Sequence, residues 1–150
     1  MTQTWYRDDG YEITTDRSRI DLDVVHGFLA TAYWSENVPR AVVEKGIAGA
    51  LCFSAFAPDG AQAGFGRVVT DYATFAYFTD IFVLDAHRGR GLSKWMVGLM
   101  IGHSELRGLR RWMLGTRDAH GLYAQFGFEN VPADRMMSRS GLPDGRYPAA

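Results

Sequence analysis

The sequence predicts a mixed α/β fold, a central sheet with helices packed on it. Three observations predict it. Runs of strand-like alternation exchange along the chain with runs of helical apolar spacing, a proline-glycine turn joins two apolar runs, and one long run is apolar on both alternating faces. The order read from these signals is β-α-α-β-β-β-α-β-α-β. With 150 residues, 47% of them hydrophobic, the chain can bury a sizeable core and is expected to form one domain over 1–150.

Tyr11–Thr15 has short β character. Ile20–Trp34 then carries Leu22, Val25, Leu29 and Ala32 at close to helical spacing, and Pro39 suits the start of a second helix with Val42, Val43 and Ile47 on its apolar face. Gly49 ends that helix. Leu51–Ala57 and Ala63–Thr70 flank Pro58-Asp59-Gly60, where proline presets φ and glycine accepts positive φ, so the two read as a β-hairpin. Thr74–Leu84 sets Phe75, Tyr77, Ile81 and Val83 against Ala76, Phe78, Phe82 and Leu84, both faces apolar, and is expected at the centre of the sheet. Leu92, Trp95, Met96, Leu99, Met100 and His103 recur at helical spacing from Gly91 onward. Arg111–Thr116 follows as a strand. Asp118 is placed to cap a helix bearing Ala119, Leu122 and Phe126, which Gly127 ends, and Met136–Arg139 reads as a last strand.

Composition narrows the partners. Sixteen Lys and Arg against seventeen Asp and Glu leave a net charge of -1, without the broad positive field that binding a phosphate backbone needs, so nucleic acid is not expected. No apolar run reaches a membrane span, and the first residues lack the apolar core of a secretory signal, so no membrane partner and a cytoplasmic location are expected. Cys52 is the one cysteine, which excludes an internal disulfide and any multi-cysteine metal site. His26, His87, His103 and His120 show no ligand spacing, and no metal is expected.

The richest stretch is Asp80–Lys94, a strand passing through Arg88-Gly89-Arg90-Gly91 into a helix. Glycines there let backbone approach a ligand, the free N–H groups of a first helical turn favour an anion, and Arg88, Arg90 and Lys94 add positive charge. A diphosphate cradle and an ordinary turn with solvated arginines both fit these residues. A dinucleotide fingerprint would need glycine where Lys94 stands, and the P-loop pattern occurs nowhere. Asp80 is the one ionisable side chain inside the strand. Its position suits either a general base or a structural hydrogen-bond acceptor.

A second block, Thr116–Phe128, lies on the next β-α unit. Val83…Arg88-Gly-Arg-Gly-Leu92 and Ala119…Leu122-Tyr123…Phe126-Gly127-Phe128 resemble, in turn, the R/Q-x-x-G-x-G/A motif and the A-x-x-L-Y-x-x-x-G-F signature of the GNAT superfamily of acyl-CoA-dependent N-acyltransferases. The element order agrees as well. The resemblance implies the GNAT fold, a mixed, mostly antiparallel sheet with helices on both faces. Ser93 stands where the first motif usually has glycine or alanine, and it keeps the backbone N–H. Thr116 replaces the asparagine that often precedes the second signature and that contacts the pantetheine arm.

By that resemblance, acetyl-CoA is the donor and an amine the acceptor, and the pantetheine arm lies along the main chain of Phe82-Val83-Leu84. The diphosphate rests on the amides of Arg88, Gly89, Arg90, Gly91, Leu92 and Ser93. Direct attack in a ternary complex forms a tetrahedral intermediate whose oxyanion a backbone N–H near Val83 can hold. Tyr123 then donates its phenolic proton to the departing sulfur. The same phenol also suits an amphipathic core residue with a satisfied hydroxyl. A binding or sensor module on the same fold is the competing reading, and homodimers are common among related proteins.

Acceptor recognition is expected where the first two helices meet the sheet. Tyr33 and Trp34, with Glu36 beside them, offer aromatic walls and a carboxylate suited to a small cationic amine, and suit a hydrophobic corner equally well. Arg67 and Tyr72 are further candidates. Cys52, inside an apolar strand, reads as an inert core residue.

Overall fold

The computed structural model describes residues 1–149. Its six-stranded sheet runs β1 (Thr4–Tyr6), β2 (Glu12–Thr14), β3 (Leu51–Phe56), β4 (Gln62–Thr70), β5 (Phe75–Val83) and β6 (Arg111–Leu114), in that spatial order. All neighbours are antiparallel except β5 and β6, which are parallel. Helices α1 (Leu22–Leu29) and α2 (Arg40–Ala48) cover one face; α3 (Leu92–Gly102) covers the other, and α4 (His120–Ala124) follows β6. No helix among the described residues is long and apolar enough to cross a membrane.

The two faces carry separate cores. Ile13, Phe53, Val68 and Phe78 pack with Met96, Val97 and Met100 of α3, whereas Cys52, Phe65 and Phe82 pack with Val25 and Leu29 of α1 and Val43 and Ile47 of α2. In a regular strand Phe78 and Phe82, four residues apart, would share a face. They do not, because β5 holds a bulge. Phe65 pairs with Phe82 and Arg67 with Thr79, so Gly66 of β4 faces two residues, Asp80 and Ile81. Asp80 takes the left-handed conformation, φ 57°. The expected grouping of Ala76, Phe78, Phe82 and Leu84 on one face therefore fails: the inserted residue sends Phe82 and Leu84 to the α1–α2 side and Ile81 to the α3 side.

Other expectations shift for local reasons. β5 is fifth of six strands, not central, and Tyr77 on it is exposed. α1 stops at Leu29, short of Trp34. The Thr31 hydroxyl donates to Phe28 O (3.0 Å) and the Ser35 hydroxyl to Leu29 O (2.7 Å), competing with the helical ladder. Ala119, not Asp118, stands at the start of α4, its N–H donating to Thr116 Oγ1 (3.0 Å). Met136–Arg139 is no strand: it finds no partner on β6, and Met137 lies in solvent. The three-residue β1 escaped notice in the sequence, and Trp5 on it stacks over Phe53 at 6.0 Å.

Candidate active site

β5 and β6 pair from Phe75/Arg111 to Phe78/Leu114 and no further. Beyond that point β6 gives way to the loop that enters α4, and the two strands part. A cavity of ≈ 420 Å³ opens in the gap, lined among others by Phe78, Thr79, Asp80, Ile81, Thr116, Tyr123, Tyr33 and Trp34. The parallel pairing also explains the freed edge, since β5 runs on for five residues with β4 alone as neighbour.

Ladder geometry says which main-chain groups face the gap. Leu84 N–H donates to Ala63 O (2.8 Å), so Phe82 and Leu84 turn their polar groups to β4 and Val83 turns its own away. Val83 O accepts from Arg88 Nε (3.1 Å), which leaves the Val83 N–H facing the open side. Phe82 is packed face to face on Phe28 at 4.0 Å, a core contact.

At the far end of β5 the chain turns into α3 through Gly89 (φ 77°) and Gly91 (φ 72°), both left-handed, where a Cβ at either position would meet nothing within 4 Å. No side chain caps α3, so the N–H groups of Leu92, Ser93 and Lys94 lack intrahelical partners. Cationic side chains gather here. Arg88 Nη1 pairs with Asp85 (2.7 Å), Arg90 lies 5.9 Å above the Tyr11 ring, and Arg7 approaches both Tyr11 (5.5 Å) and Trp95 (5.2 Å). Tyr11 in turn hydrogen-bonds His87 Nδ1 (2.7 Å). Sequence reasoning missed Arg7 and Tyr11, which carry no local signal because strand pairing alone brings them to residues 87–95.

Tyr123 reaches the parting cavity from α4, with Phe128 edge-on at 5.9 Å. Burial, assisted by Tyr33, raises its pKa above the ordinary phenol value, so it stays protonated at neutral pH. Thr116 lines the same cavity while its oxygen accepts from Ala119 N–H (3.0 Å). Tyr33 OH accepts from Arg117 N–H (3.1 Å), with the Arg117 guanidinium 3.8 Å over its ring, so the α1–α2 connection reaches across to the β6–α4 loop.

Asp80 projects to the α1–α2 side, where both of its oxygens are engaged. Arg67 Nε donates to Oδ2 (2.8 Å) and Trp34 Nε1 to Oδ1 (3.0 Å). Thus Asp80, Arg67 and Trp34 meet, whereas Tyr72 lies exposed on the β4–β5 turn and takes no part. Burial pushes the Cys52 thiol up to about 11, in keeping with an inert core cysteine. Among the described residues no cluster of His, Cys, Asp and Glu is placed to hold a metal ion.

A mixed sheet that parts between its parallel strands, beside a glycine-led and uncapped helix, marks the acyl-CoA-dependent acyltransferases. Residues 15–128 match the model of the acetyltransferase (GNAT) family, and the chain belongs to that family. It is 28% identical over 117 residues to the acetyltransferase-like protein FG08082 of Gibberella zeae, covering 65% of this chain and 66% of that one. The crystal structure of the GNAT-family protein xcc2953 from Xanthomonas campestris pv. campestris superposes with a TM-score of 0.82 at 45% identity, over 86% of this chain and 92% of that one. A Clostridium acetobutylicum protein solved with acetyl-CoA shares the fold, with a TM-score of 0.64 at 13% identity over 93% of this chain and 96% of that one. The fold and family expected from the two sequence blocks are therefore right.

Proposed function

We propose that the chain transfers an acetyl group from acetyl-CoA to a primary amine, by direct attack within a ternary complex. The observation that carries this reading is the cavity between the parted strands, which has Tyr123 in its wall and the Val83 N–H directed to the same open side. Acetyl-CoA fits the donor set of the chain. The left-handed glycines Gly89 and Gly91, the unpartnered amides through Ser93, and the cations Arg90 and Lys94 suit a diphosphate, Arg7 being already paired with Asp9, and the freed edge at Val83 suits an amide-bearing arm.

Bound acetyl-CoA supplies an activated thioester; the residues of the chain do the rest. Val83 N–H donates to the carbonyl oxygen as it gains charge while the amine nitrogen bonds to the acyl carbon. Asp80 accepts a hydrogen bond, and then a proton, from that nitrogen, and afterwards gives the proton up to solvent. As the C–S bond breaks, Tyr123 gives its phenolic proton to the sulfur and is reprotonated from solvent. Thr116, in the wall of the same cavity, would lie beside the arm, and its oxygen accepts from Ala119 N–H at the start of α4, the helix that carries Tyr123.

The experiment is thiol release from acetyl-CoA with and without a panel of primary amines, alongside calorimetric titration of acetyl-CoA. Amine-dependent release is the expected result. Tight binding with no acceptor in the panel would favour a sensor, and no binding at all would remove the donor assignment.

A further inference from the structure

A second cavity, of ≈ 200 Å³, lies between α1, α2 and the sheet, and it shares Trp34, Thr79 and Asp80 with the larger one. Of these two cavities Tyr123 lines the larger and not the smaller, which has apolar walls from Leu29, Val38, Val42, Val43, Ile47 and Phe65, with Tyr147 beside them. Two of these three shared residues are joined to each other, by the hydrogen bond from Trp34 Nε1 to Asp80 Oδ1 (3.0 Å).

The two partners of Asp80 are held very differently. Arg67 is built in: its side chain and that of Asp80 are 22% and 11% exposed, and α2 carries glycine at position 46, where a Cβ would stand 3.3 Å from Arg67 Nη1. A glycine inside a helix costs stability, so its presence here speaks for the space the guanidinium takes. Trp34 hangs instead from the irregular Ala30–Asn37 connection, is 40% exposed, and is braced by rings only, Phe28 at 6.2 Å and Tyr33 at 5.1 Å. Asn37 in that connection has φ 62°. One donor to the carboxylate is fixed and the other is removable.

We propose that Trp34 is the gate between the two cavities, and that the acceptor is a primary amine on a small apolar body, seated between α1 and α2, whose N–H replaces the indole N–H on Asp80. This rests on reading the larger cavity as the thioester site. Asp80 Oδ1 trades one donor for another, and the displaced indole N–H, on a residue 40% exposed, turns to water. Until an amine arrives, the indole keeps the carboxylate satisfied and closes the thioester off from that side. The body is limited in size: a cavity of about 150 Å³ holds a benzene ring, so the space takes a phenyl group or a chain of about five carbons. Arg67 and Asp80 cancel each other, and no other acidic side chain lines the cavity, so a second cationic centre on the acceptor finds no partner.

The test uses the full chain with CoA bound, and pentylamine, phenethylamine and spermidine as probes. The indole N–H resonances are followed by NMR, that of Trp34 being assigned by its loss in Trp34→Phe. Pentylamine is expected to shift the Trp34 resonance and leave those of Trp5, Trp95 and Trp112 in place. Steady-state rates with acetyl-CoA should then show KM for pentylamine falling about threefold or more in Trp34→Phe, with amine-independent thiol release rising. Val42→Trp, from an exposed position on α2, should raise that KM tenfold or more. An unmoved Trp34 resonance at saturating pentylamine, an unchanged KM in both variants, or a preference for spermidine overturns the proposal. If acetyl-CoA and CoA themselves do not bind, it is the functional reading that has failed, and with it the ground of this one.

Discussion

Over Phe75–Phe78, strand β5 has a neighbour on each edge, whereas over Thr79–Val83 it has β4 alone. The first half contributes Ala76 and Phe78 to the closed core against α3. The second half contributes one left-handed residue, a hydrogen-bonded carboxylate and a main-chain edge turned to a cavity. One strand thus does two jobs, and the change between them falls at the bulge. The paired half is built for stability, and the unpaired half leaves backbone groups available for a ligand.

The sharpest way to separate the halves is Tyr123→Phe, which touches only the chemistry beside the open half. We expect kcat for thiol release to fall by about 10²–10⁴, the usual worth of a positioned proton donor, with the thermal midpoint unmoved. An unchanged kcat would break the link between the cavity and this phenol. Phe78→Ala does the reverse. In the paired half it should cost about 3–5 kcal/mol in urea unfolding, whereas Thr79→Ala, one residue on, should cost no more than about 1 kcal/mol.

Gly64→Ala tests the boundary from the neighbouring strand. The new Cβ would lie 2.8 Å from Phe82 O, a main-chain atom that cannot swing aside. We expect a loss of about 1–3 kcal/mol together with weaker acetyl-CoA binding, seen by calorimetry. At Asp80 the bulge itself can be isolated. Asp80→Gly and Asp80→Ala both delete the carboxylate, but only alanine resists φ 57°, so the glycine variant should be the more stable by about 1 kcal/mol, inverting the usual order inside a strand.

The smallest effect belongs to the closed face. His103 is buried against Trp5 and Phe53, its Nδ1 accepts from Glu105 N–H (3.3 Å), and its Nε2 has no partner among the described residues. Desolvation lowers its pKa below the unfolded value of 6.5. The unfolded chain therefore binds the proton first, so this stabilisation is complete above about pH 6.5 and is lost as pH falls toward the native value. Urea midpoints between pH 5 and 8 should decline more steeply on the acid side in the wild type than in His103→Leu.

Much of this arrangement was legible from residue patterns. Helical spacing located α3 and α2, the Pro58-Asp59-Gly60 turn located the hairpin, and Gly89, Gly91 and the Tyr123 block pointed to the family. The bulge was not legible, because Thr79 and Asp80, the polar pair inside the run from Phe75 to Leu84, leave its period of two intact, and an aspartate in a left-handed conformation leaves no glycine as its mark. Nor could the sequence show where β6 stops pairing, which depends on how far a neighbour extends. Trp34 was singled out for its aromatic surface, yet its bond to Asp80 spans 46 residues and is set by the fold alone.

The inserted residue in β5 is a detour that the packing does not need. Losing the single codon at position 80 would leave Phe78, Thr79, Ile81 and Phe82 in unbroken alternation, with Phe82 still on the α1–α2 side, Ile81 still on the α3 side and both opposite the same stretch of β4. A frame-preserving deletion there would take away the carboxylate and spare both cores, so the extra residue belongs to the site and not to the scaffold.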